Sequence, residues 1–174
     1  MQVDISSIRY KVGSSLKVNI ADDWPPLNWD GEKLVFAEPV RVDLELTNTG
    51  ELLLAQGQIK AVLTVPCSRC LEVIDLTLNV PFTMGYREMG RQEETDEAED
   101  KIQIGFQSFS GDELDLAPDI KDTIWLALPM KPLCSTDCKG LCCSCGQNLN
   151  IGSCTCHEEK IDPRLAVLSD FIKN

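Results

Sequence analysis

The chain has 174 residues, 43% hydrophobic and 25% charged, which is enough to bury a core and too apolar for wholesale disorder. Lys and Arg number 16 against 28 Asp and Glu, a net charge of −12; such a chain is ill suited to coating a phosphate backbone, where binding comes from cations that release counterions. No run approaches about 18 apolar residues, and residues 1–11 lack a basic segment followed by an apolar one, so the expectation is a cytoplasmic protein without a membrane partner.

The first 36 residues show no clear period, and Asp23-Trp24-Pro25-Pro26 reads as loop. Val40, Val42, Leu44 and Leu46 then alternate with Arg41, Asp43, Glu45 and Thr47, the period of a strand with one buried face. Asn48-Thr49-Gly50 supplies a turn, and residues 52–65 continue the pattern through Ile59, Ala61, Leu63 and Val65, with Gly57 marking an expected bulge. Residues 73–82 and 101–106 read as further strands. Leu116, Ile120, Ile124 and Leu128 recur every fourth residue and predict a helix over about 115–128, with Asp115 as N-cap, Pro118 in the first turn and Pro129 as its stop. Asp162-Pro163 opens a last helix whose apolar face is Leu165, Leu168 and Ile172. The fold class expected is therefore α+β: an antiparallel sheet or partial barrel with a helix packed on it, over residues 1–128. A Cys-rich zinc-binding segment with a C-terminal helix follows, over residues 129–174.

Charge and cysteine divide along the same boundary. Residues 1–128 hold 23 acids and 11 bases and so account for the whole −12, while residues 129–174 hold five of each. Glu93, Glu94, Asp96, Glu97, Glu99 and Asp100 put six acids into eight residues; the run reads as a solvated segment and as the candidate binding surface for a basic partner.

Seven of the nine cysteines fall between Cys134 and Cys156, the others at Cys67 and Cys70. A reducing compartment argues against a disulfide framework. Zinc takes four thiolates in a tetrahedron, and two cysteines on one tight turn grip one side of the ion. Four such pairs exist: Cys67/Cys70, Cys134/Cys138, Cys142/Cys145 and Cys154/Cys156, ligands for two structural Zn²⁺ ions, with Cys143 left over. One grouping closes Cys142/Cys145 on Cys154/Cys156 and brings Cys67/Cys70 to Cys134/Cys138, pinning the sheet to the C-terminal segment. The rival puts Cys134, Cys138, Cys142 and Cys145 together; the first is favoured because it strands no pair. His157 reads as a neighbour of the site rather than a ligand. A thioredoxin-like role for Cys67/Cys70 does not fit a pair that follows a strand in an antiparallel sheet.

In order along the chain stand Pro66-Cys67-Ser68-Arg69-Cys70-Leu71-Glu72, Glu113-Leu114-Asp115-Leu116, Ile124-Trp125-Leu126-Ala127-Leu128-Pro129, Leu133-Cys134, Cys138-Lys139-Gly140-Leu141-Cys142 and Cys145-Gly146-Gln147-Asn148-Leu149-Asn150. Cys154-Thr155-Cys156 and Ile161-Asp162-Pro163-Arg164-Leu165 complete the series. This set resembles the YceD family of bacteria and plastids over about residues 40–172, with Cys143 a departure where the family pattern has proline. The resemblance implies a role in accumulation of the large (23S) ribosomal RNA, through processing or assembly of that subunit, and supplies no catalytic residues. Two Zn(Cys)₄ centres would take the charge to about −16. That suits holding a basic ribosomal protein better than contacting the RNA directly, although Lys131, Lys139, Lys160 and Arg164 could face RNA together. The expectation is a non-enzymatic factor with no small-molecule substrate. Its alternatives are an RNA-processing enzyme using carboxylate pairs such as Asp112/Glu113 and Asp119/Asp122, and a zinc- or redox-responsive regulator.

Overall fold

The computed structural model describes residues 1–29, 32–89 and 106–156. The last helix and the acidic run Glu93–Asp100 both lie outside these residues, as does His157.

The alternating segment forms β5 (Val40–Asn48), with Val40, Val42, Leu44 and Leu46 all buried, as the period of two requires. Gly50, at φ +95°, turns the chain into β6 (Leu53–Pro66), which runs antiparallel to β5. From β6 the chain doubles back as β7 (Val73–Glu88), longer than the strand expected over 73–82; this hairpin pairs every residue from Leu53↔Tyr86 to Pro66↔Val73. The N-terminal stretch without a readable period is ordered all the same. It forms β1 (Gln2–Asp4), α1 (Ser6–Arg9), β2 (Ser15–Asp22), β3 (Leu27–Trp29) and β4 (Glu32–Phe36), with residues 23–26 as loop. Tertiary pairing defines them: β2 lies along β5, and β4 along the far half of β6. All but β2 are too short for periodicity to register; β2 does alternate, Leu16, Val18 and Ile20 against Lys17 and Asn19, a strand period that the sequence reading misses.

The expected bulge at Gly57 is not there. Its register is unbroken on both sides, opposite Leu44 in β5 and Phe82 in β7. The glycine answers a close approach instead: a Cβ on it would stand 2.0 Å from the Asp43 carbonyl oxygen and 2.9 Å from Leu44 Cδ2.

Nor do the described residues form a partial barrel. Closure needs the two edge strands to meet, whereas β2–β5 and β3–β4 occupy successive halves of one edge of β6, so the sheet branches and stays open. The hairpin reading also fails at the far edge. Of the strand expected over 101–106 only Phe106 is described; it starts β8 (Phe106–Phe109), which runs parallel to the end of β7.

The predicted helix is α2 (Ala117–Ala127), with Leu116 rather than Asp115 at its N-cap. Asp115 closes β9 (Glu113–Asp115), a short strand paired with β1, and its carboxylate still accepts the Ala117 N–H at 3.0 Å. Leu116, Ile120 and Ile124 are fully buried against the sheet, each stabilising the docked helix by about 1.5–3 kcal/mol. Two buried polar groups fasten this layer. Tyr86 on β7 donates its hydroxyl to Asp119 on α2 at 2.7 Å. Asn48 donates to the Ile8 and Arg9 carbonyls, both at 2.8 Å, and accepts the Gly50 N–H, which satisfies the C-terminal end of α1. Among the described residues no helix is long and apolar enough to cross a membrane.

Candidate metal centres

The loop that joins β6 to β7 is the first cysteine knuckle. Its backbone is closed by Cys67 N–H to the Glu72 carbonyl at 2.8 Å and by Leu71 N–H to the Cys67 carbonyl at 2.9 Å. This turn holds Leu71 at φ +61°, a left-handed conformation unfavourable for a side chain with a Cβ. The segment after α2 then folds across it. Ser68 donates its N–H to the Pro132 carbonyl at 2.8 Å, Arg69 reaches the Cys138 carbonyl at 2.8 Å, and Leu141 N–H returns to the Arg69 carbonyl at 3.2 Å. Gly140, at φ +76°, lets the chain pass close enough that a Cβ there would lie 3.1 Å from that same Arg69 oxygen.

These contacts bring four thiols together. Cys67, Cys70, Cys134 and Cys138 lie with all sulfurs within 4.8 Å of one another; Cys67–Cys138 measures 3.8 Å and Cys70–Cys134 3.6 Å. A Zn–S bond of about 2.3 Å gives a tetrahedron with sulfur–sulfur edges of about 3.8 Å, so the donor set fits such an ion. Cys67, Cys70 and Cys138 are buried at the end of the sheet, and Cys134 is more open.

The second cluster repeats the first knuckle bond for bond. Cys142 N–H binds the Gln147 carbonyl at 2.8 Å and Gly146 N–H binds the Cys142 carbonyl at 2.9 Å. Gly146, at φ +72°, occupies the place of Leu71. Cys154 and Cys156 complete a second set of four sulfurs within 4.8 Å, two of them half-buried and two exposed. The eight cluster cysteines carry no disulfide. The structure thus groups the pairs as Cys67/Cys70 with Cys134/Cys138 and Cys142/Cys145 with Cys154/Cys156, and not in the rival arrangement. Cys143 is exposed within the second knuckle, its sulfur 3.9 Å from Ser144 Oγ.

Two asparagines that sequence reasoning assigned no role connect the clusters. Asn150 accepts the Lys139 N–H at 2.7 Å and donates to Cys138 Sγ at 3.3 Å; Asn148 donates to Glu72, the residue that closes the first knuckle, at 2.9 Å. Their signal was present as two amides between ligand pairs, but which backbone groups they would meet depends on the fold.

The thiols divide the negative charge unevenly. Backbone N–H groups of Cys70, then of Arg69 and Cys134, aim at Cys67 and pull its thiol down to about 6 against the effect of burial. Cys142 falls to about 6 through the N–H groups of Cys145 and Ser144. The Asn150 amide lowers Cys138. At Cys70 the Glu72 N–H also pulls down, but burial and the neighbouring sulfurs win and push it up to about 12; Cys156 rises to about 12 because it shares its proton with Cys145. Each cluster therefore holds thiols already lowered, Cys67 and Cys138 in the first and Cys142 in the second, and a bound dication would deprotonate the rest.

Residues 55–172 match the family described as "Large ribosomal RNA subunit accumulation protein YceD". The chain belongs to the YceD family. Among the relatives of this YceD-family chain, the maize protein described as "Large ribosomal RNA subunit accumulation protein YCED homolog 1, chloroplastic" is 30% identical over 147 residues, 71% of this chain and 50% of that protein. The Mycobacterium leprae (strain TN) protein ML1660, described as uncharacterized, is 32% identical over 155 residues, 85% of this chain and 67% of that protein. YlbN of Bacillus subtilis (strain 168) is 28% identical over 134 residues, 76% of this chain and 67% of that protein. The chain thus spans about half to two thirds of the length of the curated relatives it matches. No solved structure matches it.

Proposed function

We propose that this chain is a non-enzymatic factor in accumulation of the large-subunit ribosomal RNA, stapled by two zinc ions, that acts by engaging a basic component of the large subunit. The observation that carries the reading is the pair of four-cysteine clusters in a member of this family. Four thiolates saturate zinc and leave no open position for water or substrate, which supports a structural ion over a catalytic one. Residues 1–128 then serve as the sheet body and residues 129–174 as the metal-organised segment. Thiols kept reduced for metal binding suit the cytoplasm.

The charge of −12 supports a basic ribosomal protein over direct RNA contact, with Glu93, Glu94, Asp96, Glu97, Glu99 and Asp100 as the contact surface. The test is association kinetics with large-subunit proteins and with 23S RNA, for the parent and for a variant whose six acids become Gln or Asn. A protein partner should associate more slowly with the variant, and more slowly with the parent as salt rises and the Debye length shrinks from about 10 Å at 0.1 M to about 3 Å at 1 M. Tighter RNA binding by the variant, with no basic protein retained by the parent, overturns the proposal.

A further inference from the structure

The two cysteine clusters differ in how the fold holds them. Cys67 and Cys70 sit at the end of a fully paired hairpin, and the cluster they form has three buried members. Cys134 N–H reaches Cys67 Sγ at 3.3 Å, Asn150 reaches Cys138 Sγ at 3.3 Å, and Arg69 holds the Cys138 carbonyl. Cys142, Cys145, Cys154 and Cys156 all lie on one short segment outside the sheet; Cys145 and Cys156 are exposed. Ile151, between the two pairs of the outer cluster, is 80% exposed.

We infer that the inner cluster is a fixed structural centre, whereas the outer cluster, Cys142, Cys145, Cys154 and Cys156, is an exchangeable site for a soft divalent cation, open to ligands from solution. Ligand exchange at zinc proceeds by attack of an entering donor on the metal, so access to the sulfurs and the stiffness of their supports set the rate. In the transfer the ion leaves as Zn²⁺ on its new ligands, the sulfurs keep their bonding electrons, and no oxidant is required. The outer sulfurs also receive backbone N–H groups, from Cys145 and Ser144 at Cys142 and from Cys156 at Cys154, so the difference lies in burial and in the side-chain bond from Asn150 to Cys138; support of that kind is worth about 10–100-fold in metal affinity, which sets the separation expected between the two sites.

The inference rests on the zinc reading, and one experiment separates the two. The full chain, loaded with zinc, is mixed with excess 4-(2-pyridylazo)resorcinol and release is followed by absorbance. One equivalent should leave at least about tenfold faster than the other. Cys156→Ser should lose the fast equivalent and keep the slow one, while far-ultraviolet circular dichroism shows the sheet unchanged. Release of two equivalents in a single phase, or a fast phase that survives Cys156→Ser, overturns the inference and leaves the zinc reading standing. A chain that holds no zinc at all overturns both.

Discussion

Tyr86 and Asp119 show what one buried pair demands of its surroundings. Burial first, and the nearby carboxylates of Asp122 and Asp115, raise the Asp119 carboxyl above its ordinary value, while the Tyr86 bond works the other way. A carboxyl raised on folding contributes most at acid pH, below its unfolded value, and that contribution is lost as pH rises through the folded value. Asp119→Asn removes the loss. Urea unfolding of the two proteins at pH 4 and pH 7 should therefore show the variant gaining relative to the parent as pH rises; a constant difference would count against a raised Asp119. Tyr86→Phe takes away the donor and leaves the carboxylate buried without it, at a cost of about 1–3 kcal/mol in the same assay. This pair was illegible in the chain. The sequence pairs Asp119 with Asp122 as two nearby carboxylates, and nothing in the local pattern joins it to a tyrosine 33 residues earlier.

At the scale of elements, what could be read is what repeats. β5 and the inner face of α2 declared themselves because their apolar residues recur over two turns or more of the pattern. β1, β3, β4 and β9 did not, since a strand of three to five residues carries too few positions to establish a period. Gly57 illustrates the same limit from the other side. Glycine in a strand signals that something unusual happens there, without saying whether the backbone bulges or a neighbour crowds in. The geometry decides for crowding. Gly57→Ala must move the Asp43 carbonyl and the Leu44 side chain, which predicts a loss of about 1–3 kcal/mol in urea unfolding and disturbed amide shifts in β5; a neutral substitution would contradict the close approach.

For the molecule as a whole, the cysteine pairs were the most legible feature, because ligand spacing is local and chemically restrictive. The spacing favours the grouping found, because it strands no pair, without showing how distant pairs meet; the hairpin loop with its contacts to Pro132 and Cys138 is what carries Cys67 and Cys70 to the far segment. The inner cluster thus joins sheet and tail. Cys70→Ser should release the tail and spare the sheet, whose register is pinned by the unbroken hairpin. Hydrogen exchange should read this directly: the amides of Ser68 and Leu141, which bond across the junction, should exchange about tenfold faster or more, with β5 to β7 still protected. Uniform loss of protection would mean that the sheet depends on the centre.

The hairpin that ends in Cys67 and Cys70 also sets a timetable for synthesis. The outer cluster's four cysteines emerge from the ribosome almost together, within the span 142–156. Cys70 precedes Cys134 by 64 residues, and at about 5–20 residues per second the first two thiols wait roughly 3–13 seconds for the other half of their cluster. During that interval the nascent chain presents half a coordination sphere that any soft cation, or the wrong pair of cysteines, could complete. Two bonds of the knuckle, Cys67 N–H to the Glu72 carbonyl and Leu71 N–H to the Cys67 carbonyl, lie wholly within residues 67–72 and so need nothing synthesised later.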